Sequence, residues 1–156
     1  MTSIRLAENK DIPSLVELLV QVCNHHNELY PDIFKKDGNK YTNDKIEQIL
    51  LDFSYIVLVA EVDGVVRGMA ISKIIDRPEL SQAKATRTVF VEDLSVDENY
   101  RHMGLGSALM GKIEELAKKQ GAKQVELNCW YANTSAYEFY QCLGYQLLSV
   151  KFSKKM

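Results

Sequence analysis

The chain has little from which to build a covalent or metal framework. Cysteine occurs only three times, as Cys23, Cys129 and Cys142. An odd number without metal-ligand spacing speaks against both a disulfide scaffold and a zinc ribbon, so buried free thiols and no metal are expected. Three prolines and eight glycines, with no repeat or low-complexity tract, leave no room for a linker between domains. No apolar run is long enough to cross a bilayer, Tyr55 to Ala60 being far too short. Met1 to Asp11 is polar and lacks the apolar centre of a leader peptide, so a cytoplasmic protein without a membrane partner is expected. The net charge is −2 and there is no Lys/Arg run, which disfavours nucleic acid as a partner and makes any phosphate site local.

What is present is a hydrophobic fraction of 46% with 26% charged residues, suited to one compact domain over residues 1–156. Ser3 to Leu6 reads as a short strand. Asn9-Lys10-Asp11-Ile12-Pro13 reads as a helix start with proline in the first turn, and Leu15, Leu18, Leu19, Val22, Cys23 and His26 form the apolar stripe of that helix. Asn24 to Tyr41 reads as irregular and as a candidate lining for a substrate pocket. A short helix capped at Thr42 or Asn43 follows, with Ile46, Ile49, Leu50 and Phe53 on its apolar face. Tyr55 to Val62 and Val65 to Ile75 are β-rich runs joined by Asp63-Gly64, the signature of a tight antiparallel hairpin, and Gly68 allows a bulge. Asp76 to Ala85 is a loop. A strand at Thr86 to Val96, a helix, and a strand at Gln124 to Asn128 predict a parallel crossover. A last helix ends at Gly144, and a final strand is expected from Tyr145 to about Phe152.

The densest chemistry lies between Val89 and Lys119. A mostly buried strand gives way at Asp97-Glu98-Asn99-Tyr100 to Arg101-x-x-Gly104-x-Gly106, and Leu105, Ala108, Leu109, Ile113, Leu116 and Ala117 then recur at helical spacing. Glu114 to Lys118 and Glu115 to Lys119 are favourable pairs four residues apart, and Gly121 suits the position after the last turn. The first N–H groups of a helix lack internal partners and carry the positive end of its dipole. Glycines at 104 and 106 let a phosphate approach that backbone, and Arg101 adds a fixed charge. No Gly-Lys-Ser/Thr follows, and Leu109 stands where a dinucleotide fingerprint needs its third glycine, so neither a Walker loop nor a dehydrogenase fits.

A second motif, Asn133-x-x-Ala136-x-x-Phe139-Tyr140-x-x-Leu143-Gly144-Tyr145, begins a strand and a turn after the cradle helix. Together the two segments resemble the GNAT superfamily of acetyl-CoA-dependent N-acetyltransferases. The resemblance implies a single-domain α/β (α+β) fold. Its mixed, mostly antiparallel twisted sheet is flanked by helices, and the central parallel strands splay to admit pantetheine. It further implies that Leu94 and Val96 offer backbone groups to pantetheine, that Arg101, His102, Met103, Gly104, Leu105, Gly106 and Ser107 hold the pyrophosphate, and that Asn133 contacts the pantetheine arm. His102 and Met103 depart from the more basic or glycine-rich residues of many relatives. Tyr140 corresponds to the general acid beside the sulfur. Val91-Glu92-Asp93-Leu94-x-Val96 is also similar to the diamine (spermidine/spermine) acetyltransferases, which assigns Glu92 as base.

Strict alternation puts Glu92, Leu94 and Val96 on one face and Val91 and Asp93 on the other, which favours Glu92 over Asp93. A primary amine is mostly protonated at neutral pH and needs such a base. Asn133 is equally readable as a helix N-cap. His25 and His26 have no identifiable carboxylate partner and receive no role. Trp130 and Tyr131 are read as packing residues and Cys129 as core. The expected activity is acetyl transfer from acetyl-CoA to a primary amine of a small molecule or peptide. A coenzyme A-binding module without turnover, or use of a longer acyl chain, is the alternative. Glu28, Asp32, Asp76 and Glu79 permit a polyamine acceptor, and a homodimer is admitted.

Overall fold

The computed structural model describes every residue, Met1–Met156. One five-stranded sheet runs in the order β1-β2-β3-β4-β5, with β1 Thr2–Leu6, β2 Tyr55–Val62, β3 Val65–Arg77, β4 Thr86–Val96 and β5 Gln124–Leu127. The first four strands pair antiparallel, and β4 pairs parallel with β5. Helices α1 Ile12–Leu29 and α2 Asn43–Leu51 precede the hairpin, α3 Leu105–Lys119 makes the crossover, and α4 Thr134–Cys142 follows β5. No helix is long and apolar enough to cross a membrane.

Alternation along the central strands divides the apolar residues between two cores. Leu58, Ala60, Ala70, Val89 and Val91 pack beneath Leu105, Leu109, Met110 and Ile113 of α3. Val57, Val59, Met69 and Ile71, one residue out of phase, pack against Leu15, Leu18 and Leu19 of α1 and Ile46 and Ile49 of α2. The sheet is thus covered on both faces, as its nearly continuous apolar strands require. The β2–β3 hairpin turns at Asp63 and Gly64 with φ of 49° and 79°, the doubly left-handed pattern that Asp-Gly serves. Arg67 is the extra residue where the β2–β3 register shifts, beside Gly68.

Four expectations are corrected. Helix α1 runs to Leu29, through residues read as irregular, because its polar end is an anchor: Asn24 both donates to the Asp37 carboxylate and accepts from the Asp37 N–H, and Asn27 donates to the Phe34 carbonyl. Phe53 lies beyond α2 and is fully exposed, outside the apolar face assigned to it. Glu114 accepts from the Tyr145 hydroxyl at 2.9 Å instead of pairing with Lys118. The final strand is not formed: after Gly144 the chain carries no regular structure, and Leu147, Leu148, Val150 and Phe152 are exposed. A β-rich sequence becomes a strand only where a neighbouring edge accepts its hydrogen bonds.

Candidate active site

Strand β5 pairs with β4 only from Thr88 to Val91, whereas β4 continues to Val96 with β3 alone beside it. Between Glu92 and Val96 one edge of β4 therefore faces a gap with no strand partner. A cavity of about 780 Å³ opens there, lined among others by Tyr41, Glu92, Asp93, Leu94, Asn133 and Tyr140.

The register of β4 decides which side chains enter that cavity. Ile71 pairs with Asp93 and Ser72 with Val91, so Glu92 is the extra residue of a β-bulge. A bulge resets the alternation. Val89, Val91, Leu94 and Val96 consequently share the face packed by α3, while Ser95 points to α1, donating to the Leu18 carbonyl at 3.1 Å. The expected grouping of Glu92 with Leu94 and Val96, opposite Val91 and Asp93, is thus overturned. The two carboxylates instead converge on one phenol: the Tyr41 hydroxyl lies 3.0 Å from Glu92 Oε2 and 3.3 Å from Asp93 Oδ2. Lys40 Nζ donates to both oxygens of Asp93 at 3.0 Å. Asp93 is the buried member, its side chain 8% exposed. Burial pushes its carboxyl above the ordinary value, an effect only partly offset by Lys40 and Tyr41. Burial, followed by the two carboxylate charges, raises Tyr41, so this phenol stays protonated and donates. Sequence reasoning missed Tyr41 because its partners lie some fifty residues away; the one available signal was its place at the end of the pocket-lining segment.

Tyr140 stands on α4 across the cavity. Burial pushes its phenol above the ordinary value, so the hydroxyl keeps its proton at neutral pH and can give it up to a stronger base. Asn133 is the N-cap of α4, its Oδ1 accepting from Ala136 N at 3.3 Å. The capping reading is therefore what the fold shows, and the amide nitrogen has no partner within the protein. Cys129 is raised by burial, which keeps it a thiol and not a nucleophile. Tyr30, Phe34, His26 and Trp130 form an aromatic wall: the Tyr30 and Trp130 rings are 4.9 Å apart and Phe34 meets Trp130 edge-on at 5.1 Å. His26, read without a role, packs on Phe34 at 5.0 Å, and burial pushes its imidazole below the ordinary value.

Past Val96 the turn is fixed before the helix begins. Asp97 accepts from Asn99 N at 3.0 Å and from Arg67 at 3.2 Å, and the Arg67 guanidinium lies over the Tyr100 ring. From Arg101 to Ser107 no backbone N–H finds an acceptor in the protein; the helical ladder starts with Ala108 donating to Gly104. Such a row of donors at a helix start is suited to hold an anion. The two glycines serve it differently. Gly104 is required by its φ of 81°, with open space where a Cβ would stand, whereas a Cβ on Gly106 would come within 3.2 Å of Phe139 Cζ. Gly106 thus admits α4 as well as any ligand. His102 adopts a φ of 62°, in the left-handed region that favours glycine. The unpaired N–H row and the split between β4 and β5 together fit a long ligand with a phosphate at one end.

Comparison with known proteins agrees with this geometry. The model of the Acetyltransferase (GNAT) family matches residues 7–145. Thialysine N-epsilon-acetyltransferase of Bos taurus is 35% identical over 63 residues, 40% of this chain and 37% of that enzyme, so the match spans little more than a third of that relative. Among solved structures, a tetramutant of the BH1408 protein of Bacillus halodurans superimposes with a TM-score of 0.93 at 24% identity, covering 99% of each chain. Aminoglycoside N-acetyltransferase AAC(6')-Iy in complex with CoA gives 0.73 at 20% identity over 99% of this chain and 95% of that one. At these identities the structures bear on the fold. With the family model matched over nearly the whole chain and the sheet split where the fold requires, the chain belongs to the GNAT family of acetyltransferases.

Proposed function

We propose that the protein transfers an acetyl group from acetyl-CoA to a primary amine of a small molecule or peptide, by direct attack within a ternary complex. The observation that carries this reading is the partnerless edge of β4, which joins the carboxylate pair Glu92–Asp93 to the unpaired N–H row of Arg101 to Ser107. Arg101, His102, Met103, Gly104, Leu105, Gly106 and Ser107 hold the pyrophosphate through backbone donors and the Arg101 guanidinium. The backbone of Leu94 and Val96 and the free amide nitrogen of Asn133 hold the pantetheine arm. Acetyl-CoA supplies an activated acyl group.

The remaining steps belong to the protein. Asp93 and Tyr41 orient the acceptor's ammonium, and Glu92 removes its proton, since only the free amine is a nucleophile. The N–H of Leu94 faces the developing oxyanion, and the Tyr140 phenol gives its proton to the departing thiolate. Holding both reactants in one cavity replaces a bimolecular encounter, a large part of the rate enhancement. The thialysine and aminoglycoside enzymes named above act, by their names, on amines, which supports an amine acceptor here. The free thiols Cys23, Cys129 and Cys142 fit a reducing compartment, so we place the enzyme in the cytoplasm.

Release of CoA thiol should be measured with acetyl-CoA and longer acyl-CoAs against a panel of amines that includes polyamines, lysine analogues, aminoglycosides and peptides. Turnover with at least one amine and acetyl-CoA is expected. Binding of CoA without turnover on any amine would make the protein a binding module, and preference for a longer acyl chain would make it a different acyltransferase.

A further inference from the structure

Lys40 belongs to the segment between α1 and α2, and it differs from the other paired lysines in the burial of the carboxylate it meets. Lys10, Lys112, Lys119 and Lys155 pair with exposed carboxylates. Lys40 instead reaches the cavity wall and sits on Asp93, its own side chain 48% exposed against 8% for the carboxylate. The segment that carries it is tied down at several points: Asn24 clasps Asp37, Asn27 holds the Phe34 carbonyl, and the Asn39 side chain accepts from Tyr41 N. The next residue, Tyr41, bridges Asp93 to Glu92. A primary amine is therefore held against Asp93, the neighbour of Glu92, in the same cavity as Tyr140 and Asn133. Chemically it is what the acceptor site is built to receive.

We propose that Lys40 is an internal acetyl acceptor: with acetyl-CoA bound and no external amine present, the protein acetylates its own Lys40. The proposal rests on the acetyltransferase reading above. The Lys40 ammonium gives one proton to the carboxylate pair. Its nitrogen then forms the C–N bond to the acetyl carbonyl carbon as the C–S bond breaks. Tyr140 protonates the thiolate, and the second nitrogen proton passes through solvent to restore the Tyr140 phenol. The net change is lysine ammonium plus thioester to acetyl-lysine, free thiol and one proton. Acetyl-Lys40 is neutral, so Asp93 loses its cation and the ammonium position opens to an external amine. Modification thus turns an occupied acceptor site into a vacant one.

Purified full-length protein should be incubated with acetyl-CoA alone and followed by intact-mass and peptide mass spectrometry. Acetylation at Lys40 should be first order, independent of protein concentration, and on the order of a hundredfold faster than at exposed Lys118, as expected for a positioned amine. Asp93→Asn and Tyr140→Phe, confirmed folded by circular dichroism, should lose the Lys40 label and keep the slow background on Lys118. The proposal is overturned if Lys40 is labelled no faster than Lys118, or equally fast in urea-unfolded protein. The amine panel, run in parallel on Lys40→Arg, separates the two levels. Turnover of external amines with Lys40 unmodified in the wild type sinks self-acetylation and leaves the transferase standing. No turnover of any amine together with no label on Lys40 sinks both.

Discussion

Replacing Asp93 by asparagine should leave the fold as stable as before, or more so, while removing most of the activity. The carboxyl is raised by burial, so its folded-state pKa lies above the unfolded one. Sign follows from linkage: the carboxyl costs nothing below the unfolded value near ~4, and stability is lost as pH rises through the folded value, so at neutral pH the fold carries the full cost of the buried charge. Asparagine has the same shape without that charge. Against the gain stand the Lys40 and Tyr41 contacts. Lys40 is half exposed and returns to water, a loss of at most about 1 kcal/mol, and Tyr41 keeps Glu92 at 3.0 Å. The net change should lie between zero and a gain of about 1 kcal/mol, a rise in Tm of about 0–4 °C for a domain of this size. Below pH ~4 the difference should vanish, the wild-type carboxyl being neutral there. Activity should move the other way. A hydrogen bond to a charged group is worth about 1.5–3 kcal/mol, so kcat/KM for a cationic amine should fall about ten- to a hundredfold. Scanning calorimetry from pH 3 to 8 with steady-state kinetics at neutral pH tests both halves. A Tm lowered by more than about 4 °C at neutral pH, or a pH-independent stability difference, would show that Asp93 is a structural residue and refute the assignment.

Tyr140→Phe keeps the ring and deletes the hydroxyl; kcat should drop on the order of ten- to a thousandfold with Tm and acetyl-CoA affinity little changed, and full turnover under conditions where chemistry limits the rate would leave water as the proton donor. Leu109→Ala removes a fully buried side chain from beneath α3 and should cost about 3–5 kcal/mol; a thermal melt showing a loss under about 1 kcal/mol would mean that the α3 core collapses around the gap.

Elements set by local chemistry were legible in the sequence. Thr42 caps α2 through its hydroxyl, Asp63-Gly64 turns the hairpin, and the stripe of α3 ends where Gly121 takes a φ of 73°. The parallel partner of β4 and the start of α3 were also readable, because glycine and helical periodicity act over a few residues. Misreadings arose where a distant group decides the local state. The polar end of α1 stays helical because the 30–41 segment folds back on Asn24 and Asn27, and the β-rich tail after Gly144 stays irregular because no edge of this chain pairs with it. Gly106 reads as a phosphate glycine, yet its closest neighbour is Phe139, more than thirty residues on.

The bulge at Glu92 connects these misreadings to the chemistry. Pairing without it would continue strict alternation, sending Glu92 and Asp93 to opposite faces of the sheet, one beneath α3 and one toward α1. The inserted residue costs a ladder hydrogen bond and bends β4 away from β5, which is where the parallel pairing stops. The same insertion lets consecutive carboxylates meet one phenol from the 30–41 segment. A single register shift thus coincides with the end of the β4–β5 pairing and gathers two carboxylates beside the open edge of β4. The sequence carries one trace of the shift, the two consecutive charged residues between apolar Val91 and Leu94, which break strict alternation without saying which residue is the inserted one. Its signature lies in the partner strand, where Ile71 faces Asp93 and Ser72 faces Val91, a fact that only the paired sheet contains.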